Sequence, residues 1–257
     1  LIREHAGNRP VMAVVKANAY GHGLVRVAQH YESLGAEWLA VALFEEGVAL
    51  RKAEVRCPIL VFGGYSPKQI PEFLRWELNL TVGSLGFLQS VESVAHQQGT
   101  SANIHLKLDS GMGRIGTRTE EAAALIKAAV RSKVVMLRGI YSHLACADDP
   151  KHPLTPLQIQ RFLEALRIFD DLGESPPMRH LANSGGVLHF PESHLDCIRP
   201  GILLYGVYPD PASQRMLPVR PALSLRAEIS FVKQIPVGES VSYGATWTAS
   251  QPTTLAT

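Results

Sequence analysis

Lys16 is the first residue in this chain with the type and position for covalent chemistry. It closes the apolar, β-branched-rich run Val11-Met12-Ala13-Val14-Val15. A small-residue loop follows, Ala17-Asn18-Ala19-Tyr20-Gly21-His22-Gly23, punctuated by two glycines. The lysine therefore sits where a buried strand meets its loop. In parallel α/β proteins, loops at the C-terminal ends of strands form the pocket while the strands beneath hold it rigid. An ammonium there can be desolvated until part of it loses its proton, and a neutral amine forms an imine with an aldehyde. The same position also suits a lysine that snorkels from a strand end into water.

A second set of residue types suits an anion. Asn183-Ser184-Gly185-Gly186 puts a hydroxyl and two glycines where a strand meets a helix, and Gly201-Ile202 offers two more backbone amides after the next strand. Barrels often bind phosphate at their last two loops. A serine cap with permissive glycines has the same look at any helix start. Arg199, at a strand end, reads by residue type as a surface or ion-paired group. His22, beside glycines, reads as structural. His5, His30, His96, His152, His189 and His194 lack metal-ligand spacing, so no metal is expected.

These groups need a rigid frame, and the chain is long enough to build one. Its 257 residues, 46% hydrophobic and 19% charged, suffice for one (β/α)8 barrel or for two smaller domains. A net charge of +2 with both signs mixed and no polybasic run gives no reason to expect nucleic acid or a membrane surface as partner. No apolar stretch approaches the ~18 residues of a membrane span, and the N-terminus lacks a signal pattern. Cys57, Cys146 and Cys197 are scattered without CxxC spacing, which fits a reducing compartment better than a disulfide framework. A cytoplasmic location is expected. A periplasmic one stays open, because both ends look cut: Leu1 is not an initiator methionine, and residues 253–257 stop inside what reads as a strand.

Periodicity supplies the elements. Helical spacing is expected over 24–34, closed by Gly35, then over 44–53, 67–76, 84–98, 119 onward, 155–172 and 184–190. Strands are expected at 38–42, 58–62 (ending at Gly63-Gly64), 78–82, 103–108, 134–140, 180–182 and around 197–199. Strand and helix alternate about eight times over short connections, which predicts a closed TIM-type (β/α)8 barrel over residues 1–210. An open doubly wound sheet is the runner-up, disfavoured by the absence of GxGxxG after the first strand. Pro209, Pro211, Pro218 and Pro221 mark a linker over 211–221. Beyond it, Leu223, Leu225, Ala227, Ile229 and Phe231 alternate with polar residues, predicting a half-buried antiparallel strand. A turn at 237–239 leads to another strand over 240–247, so 222–257 reads as the truncated start of a β-rich domain.

AVVKANAYGHG at 13–23 resembles the cofactor-attachment signature of alanine racemases, barrel-fold enzymes that use pyridoxal 5′-phosphate (PLP). The resemblance continues through HLKLDSGMGRIG at 105–116, YSHLACAD at 141–148, HLANSGG at 180–186, IRPGILLYG at 198–206 and VSYGATWTA at 241–249. It implies racemisation of L- and D-alanine, which supplies D-alanine for peptidoglycan. It further implies that Lys16 carries PLP, that Ser184, Gly201, Ile202 and Tyr20 grip its phosphate, and that Arg199 faces its ring nitrogen. Two bases on opposite faces of the α-carbon would be Lys16 and Tyr243. His143 would lie between Tyr243 and Arg199 and lower the phenol's pKa. Arg114 would meet the substrate carboxylate or orient the tyrosine, and Lys107 matches a lysine that is often carbamylated. A head-to-tail homodimer is implied, with Tyr243 entering the partner's site.

Other readings stay open on the sequence. A racemase of broader or serine preference, or a basic amino-acid decarboxylase on the same barrel, would share most of these motifs. A non-catalytic PLP-binding protein would not need VSYGATWTA. A barrel aldolase would form its imine with the substrate itself.

Overall fold

The computed structural model describes residues 1–63, 66–211, 213 and 216–257. Gly64, expected at the end of the third strand, and positions 212, 214 and 215 of the expected linker lie outside the described residues. The chain forms two compact units, Leu1–Ala222 and Leu223–Thr257. Among the described residues no helix is long and apolar enough to cross a membrane.

In chain order the first unit runs α1 (Ile2–His5), β1 (Met12–Val14), α2 (Lys16–Tyr20), α3 (Leu24–Ser33), β2 (Trp38–Val41), α4 (Phe44–Lys52), β3 (Ile59–Val61), α5 (Ile70–Arg75), β4 (Asn79–Val82), α6 (Leu85–Gln98), β5 (Ala102–Asp109), β6 (Thr117–Arg118), α7 (Ala122–Arg131), β7 (Val135–Tyr141), α8 (Leu154–Asp171), β8 (Met178–His180) and α9 (Ser184–His189). Strands β1, β2, β3, β4, β5, β7 and β8 pair in that order, each in parallel with the next, and β6 lies beside the end of β5.

The circle closes through the segment around Ile198, expected as the eighth strand. It makes a single bridge to Val11 rather than a ladder. Met12 N–H donates to Ile198 O at 2.8 Å, Ile198 N–H to Pro10 O at 3.0 Å, and Arg199 N–H to Ala182 O at 2.9 Å. The expected TIM-type barrel is therefore present. Pro200 limits its last strand, because a proline has no amide to continue a ladder.

Helices form where the apolar stripe and the caps agree. In α6, Ser84 Oγ accepts from Phe87 N–H at 3.2 Å, Leu88, Val91 and Ala95 are buried, and Gly99 ends the helix at φ +62°. In α8, Gln158, Ile159, Phe162, Ala165, Leu166 and Phe169 form the buried stripe. Phe73, Phe162 and Phe169 have almost no exposure, and each such ring contributes about 2–3 kcal/mol by leaving water.

The strands sort side chains by parity. Ala13, Val15, Leu39, Val41, Ile59, Val61, Leu80, Ile104, Leu106, Ile140 and Ile198 belong to the large apolar core shared with the helices. Met12, Val14, Ala40, Leu60, Tyr141 and Cys197 alternate with them and form a separate cluster inside the barrel.

The stretch after Lys16, expected as a loop, is a helical turn of the wrong hand. Ala17, Asn18, Ala19 and Tyr20 all have φ of 53–54°. Each L-residue held there costs about 1–2 kcal/mol.

In the second unit, β9 (Val232–Ile235), β10 (Ser240–Val241), β11 (Trp247–Thr248) and β12 (Thr253–Ala256) form two antiparallel pairs, β9 with β12 and β10 with β11. Two expectations are corrected here. Residues 223–231 alternate in polarity but form no strand; at their end the Ser230 and Phe231 amides donate to Thr257 O, and Phe231 O accepts from Thr257 N–H. Alternation marks a face to bury, whereas a strand also requires a neighbour to pair with. The strand expected over 240–247 is a hairpin, folded back by the turn Tyr243–Ala245, where Ser242 and Gly244 have φ of 62° and 74°.

Candidate active site

Strand parity puts the chemistry-bearing groups at the C-terminal mouth of the barrel. Lys16 follows Met12 and Val14 at two-residue intervals, His143 follows Tyr141, and Arg199 follows Cys197. Lys107 shares its parity with His105. Two cavities meet there. One, of about 330 Å³, is lined by Lys16, Tyr20, Met112, His143, Ser184, Arg199, Gly201 and Ile202 among others. The other, of about 200 Å³, is lined by Lys16, Lys107, Arg114, Ile115, Tyr141 and His143 among others. Lys16, Phe62 and His143 belong to both.

Burial lowers the pKa of the half-buried Lys16 amine, the Arg114 guanidinium lowers it further, and Glu46 opposes them. Burial raises the pKa of Tyr20, so its phenol stays a donor at neutral pH. Lys107 is 5% exposed and its Nζ donates to Leu108 O at 3.0 Å. Its pKa falls to about 7, first through burial and then through Arg199.

Ser184 and the last barrel turn build the cradle. Asn183 Oδ1 caps α9 by accepting from Gly186 N–H at 3.0 Å. Ser184 Oγ accepts from Gly201 N–H at 2.9 Å and Leu203 N–H at 3.3 Å. That directs its own hydrogen elsewhere. Ile202 opens the 3-10 turn Ile202–Tyr205, so its amide has no intrahelical acceptor. Gly201 leaves room for the phenol: a Cβ there would lie 2.5 Å from Tyr20 Oη and displace it. The Ser184 hydroxyl, the Tyr20 phenol and the Ile202 amide thus line one cavity. This donor set fits a phosphate.

Arg199 is 2% exposed and heavily bonded. Its Nη2 donates to Ser142 O at 2.7 Å, to Leu181 O at 3.1 Å and toward His143 Nδ1 at 3.4 Å. Its Nη1 donates to His180 Nδ1 at 3.0 Å. Burial lowers its pKa to about 10, which leaves it cationic at neutral pH. A guanidinium only donates, so both imidazoles accept through Nδ1 and carry their proton on Nε2. His180 Nε2–H then donates to His105 Nδ1 at 2.9 Å. Gly139 makes room for that pair, because a Cβ there would come within 2.3 Å of His105 Nδ1. Burial and the Arg199 charge hold all three imidazoles below the usual histidine range, with His105 at about 3.

Loop order comes from side chains with no assigned role in the sequence reading. Asp109 Oδ1 accepts from the amides of Gly111, Met112 and Gly113 at 2.8–3.1 Å, shaping the loop that carries Arg114. Gln158 is fully buried on α8; its Oε1 accepts from Ala145 N–H at 2.8 Å and its Nε2 donates to His143 O at 2.9 Å. The inward parity of His105 and His180 was available as a signal. Nothing local marked Gln158. Lys16, Tyr20, Lys107, Arg114, His143, Ser184, Arg199, Gly201 and Ile202 therefore gather at one mouth. Tyr243 lies in the second unit and is 99% exposed.

The family model of the alanine racemase N-terminal domain matches residues 1–209, and that of the alanine racemase C-terminal domain matches 222–257. The chain belongs to the alanine racemase family. Racemases are isomerases, so the enzyme class follows with the family. The alanine racemase of Desulforamulus reducens is 42% identical over 258 residues, which is 99% of this chain and 70% of that protein. A crystal structure of alanine racemase from Streptomyces lavendulae has a TM-score of 0.89 at 38% identity, covering 99% of this chain and 68% of that one. A histidine racemase from Leuconostoc mesenteroides has a TM-score of 0.83 at 28% identity, covering 99% and 68%. The chain thus spans about two thirds of the length of these racemases.

Proposed function

We propose that the protein interconverts L-alanine and D-alanine with PLP, using Lys16 and Tyr243 as two bases. The observation that carries this reading is the mouth itself: a partly desolvated lysine and a buried arginine line one cavity of about 330 Å³ together with Tyr20, Ser184, Gly201 and Ile202. Bound there, PLP would supply an aldehyde that holds the amino acid by its nitrogen and a ring that delocalises charge as the α-proton leaves.

Lys16 would anchor the cofactor, and Tyr20, Ser184, Gly201 and Ile202 would hold its phosphate. Arg199 has no acceptor, so facing the ring nitrogen it would leave that nitrogen unprotonated, which suits racemisation over amino-group transfer. Lys16 removes or returns the α-proton on one face and Tyr243 does so on the other. A phenol ordinarily titrates near 10, so its anion needs support. His143, with Nδ1 turned to Arg199, keeps Nε2–H to donate. The near-complete exposure of Tyr243 supports a homodimer in which it serves the partner's mouth. Arg114 would meet the substrate carboxylate. Lys107, partly neutral at pH 7, is suited to add CO2 with release of one proton. The resulting carbamate would attract Arg114, which the ammonium repels.

In this reading residues 1–210 form the PLP-binding barrel, 211–221 the linker and 222–257 the opening of the β domain. The reaction would supply D-alanine for peptidoglycan in the cytoplasm. The likeness to a histidine racemase favours one second reading, a broader side-chain specificity on the same machinery.

Borohydride treatment with PLP followed by peptide mapping tests the anchor. Lys16 should be labelled, and Lys16→Ala should lose both the label and at least ~10³-fold in racemisation. An unlabelled Lys16 overturns the reading. Tyr243→Phe should slow α-proton exchange of one enantiomer far more than the other. Racemisation of L-alanine, L-serine and L-histidine side by side decides breadth.

A further inference from the structure

Lys16 leads directly into the four left-handed residues of α2, with Ala17 at φ 53°, ψ 54° and Asn18 at φ 54°, ψ 43°. L-residues enter that region singly as a rule, and a run of them persists only where the surroundings over-determine it. Part of the restraint is local. Ala19 N–H donates to Val15 O at 2.9 Å, Leu24 N–H donates to Asn18 Oδ1 at 2.8 Å, and His22 Nδ1 lies 3.0 Å from Ala19 O. The rest comes from another element. Glu46, on the first turn of α4, accepts the Ala17 amide on Oε1 at 2.6 Å and the amides of Ala42 and Leu43 on Oε2 at 2.9 and 3.1 Å.

We propose that Glu46 is a positioning residue for Lys16 and Tyr20. Its carboxylate, fixed on the β2–α4 corner by two amides, grips the first amide of the left-handed turn and so aims the amine and the phenol into one cavity. Tyr20, the last residue of this turn, places its hydroxyl against Gly201, where a Cβ would lie 2.5 Å from it. Both oxygens are used as acceptors from backbone donors. Glutamine would present an NH2 to an amide that needs an acceptor, and aspartate is one methylene short of spanning both anchors.

Charge points the same way. The amine shares its two cavities with Tyr20, Lys107, Arg114, Tyr141, His143 and Arg199. Glu46 is the carboxylate that raises the amine's pKa against burial and Arg114. The inference rests on Lys16 as the PLP anchor only for its second readout.

The test uses the full chain without cofactor first. Acetic anhydride labelling of Lys16 across pH, read by peptide mapping with the exposed lysines as internal controls, gives the midpoint at which the amine becomes neutral. Glu46→Gln should move that midpoint to lower pH, because an attracting anion is gone. The concentration of PLP that half-saturates borohydride labelling at Lys16 should rise about tenfold or more. Adding Ala17→Gly to Glu46→Gln should recover part of that loss, since glycine adopts φ near +53° without steric cost. A role confined to capping α4 would not produce this rescue.

Unchanged midpoint and unchanged half-saturation in a folded Glu46→Gln protein would overturn the proposal, whatever its melting temperature does. Should that variant fail to fold, Glu46→Asp keeps the charge near Ala42 and Leu43 while ending short of Ala17, so its half-saturation should still rise about tenfold although its midpoint moves little; an unchanged half-saturation there would overturn the proposal. Loss of label from the wild-type protein would remove the PLP reading instead, and the acetylation midpoint would still judge Glu46.

Discussion

The two faces of the same barrel strands are built for different purposes, and β5 shows it within eight residues. Its outward side chains, Ile104, Leu106 and Leu108, are fully buried against helices. Its inward ones, His105 and Lys107, are buried too but polar: His105 is hydrogen-bonded to His180, which accepts from Arg199, and the Lys107 ammonium lies 5.0 Å from the centre of the Tyr141 ring. The outward face stabilises by removing apolar area from water. The inward face keeps Arg199, Lys107, His105 and His180 out of water, a cost offset where donors and acceptors are matched, as in the Arg199–His180–His105 chain; His105 Nε2 at its end is left without a partner. Buried equally, one face holds the fold and the other aims the chemistry.

The sharpest way to break this contrast is Leu106→Ala. It should cost about 2–5 kcal/mol in urea unfolding, while the folded fraction keeps full labelling of Lys16 by PLP and borohydride. Lost labelling at unchanged stability would mean that the two faces are not separable.

Acid should probe the inner face next. His105, His143 and His180 titrate below 6.5 in the folded protein because burial and Arg199 disfavour their charged forms. Below pH 6.5 the unfolded chain therefore binds protons that the folded one refuses. Stability is retained above 6.5 and lost as pH falls toward about 3, the folded value for His105. Each histidine should contribute roughly 1 kcal/mol per pH unit, read from urea midpoints between pH 7.5 and 5. A flat profile would place these imidazoles in contact with water.

The smallest effect is expected at Ser184, where the two purposes meet. Ser184→Ala leaves the amides of Gly201 and Leu203 without their acceptor. It should lower stability by about 1 kcal/mol and weaken PLP retention about tenfold. Weakened retention alone would assign the hydroxyl to the cofactor only.

Legibility in the sequence followed the same division. Apolar runs ending in Lys16 or Arg199 announced strands and their mouths, and the helices followed from stripes such as Leu88, Val91 and Ala95. The hand of the turn after Lys16 was not legible, because Ala, Asn, Ala and Tyr carry no left-handed preference strong enough to announce four such residues in a row. Nor was the fate of 223–231: its alternation described a face and could not supply a pairing strand. Gln158 and Glu46 were silent for a further reason. A side chain that bonds backbone amides far away in sequence has no local pattern to betray it.

The sequence by itself determined the barrel, the family and the identities of the groups at the mouth, since periodicity and contiguous motifs are local properties of the chain. Tertiary structure alone decided that His143 and His180 both accept from Arg199, what a side chain at Gly139 or Gly201 would meet, and how Glu46 meets the Lys16 turn. Those are facts of distance between strands remote in sequence, and packing sets them.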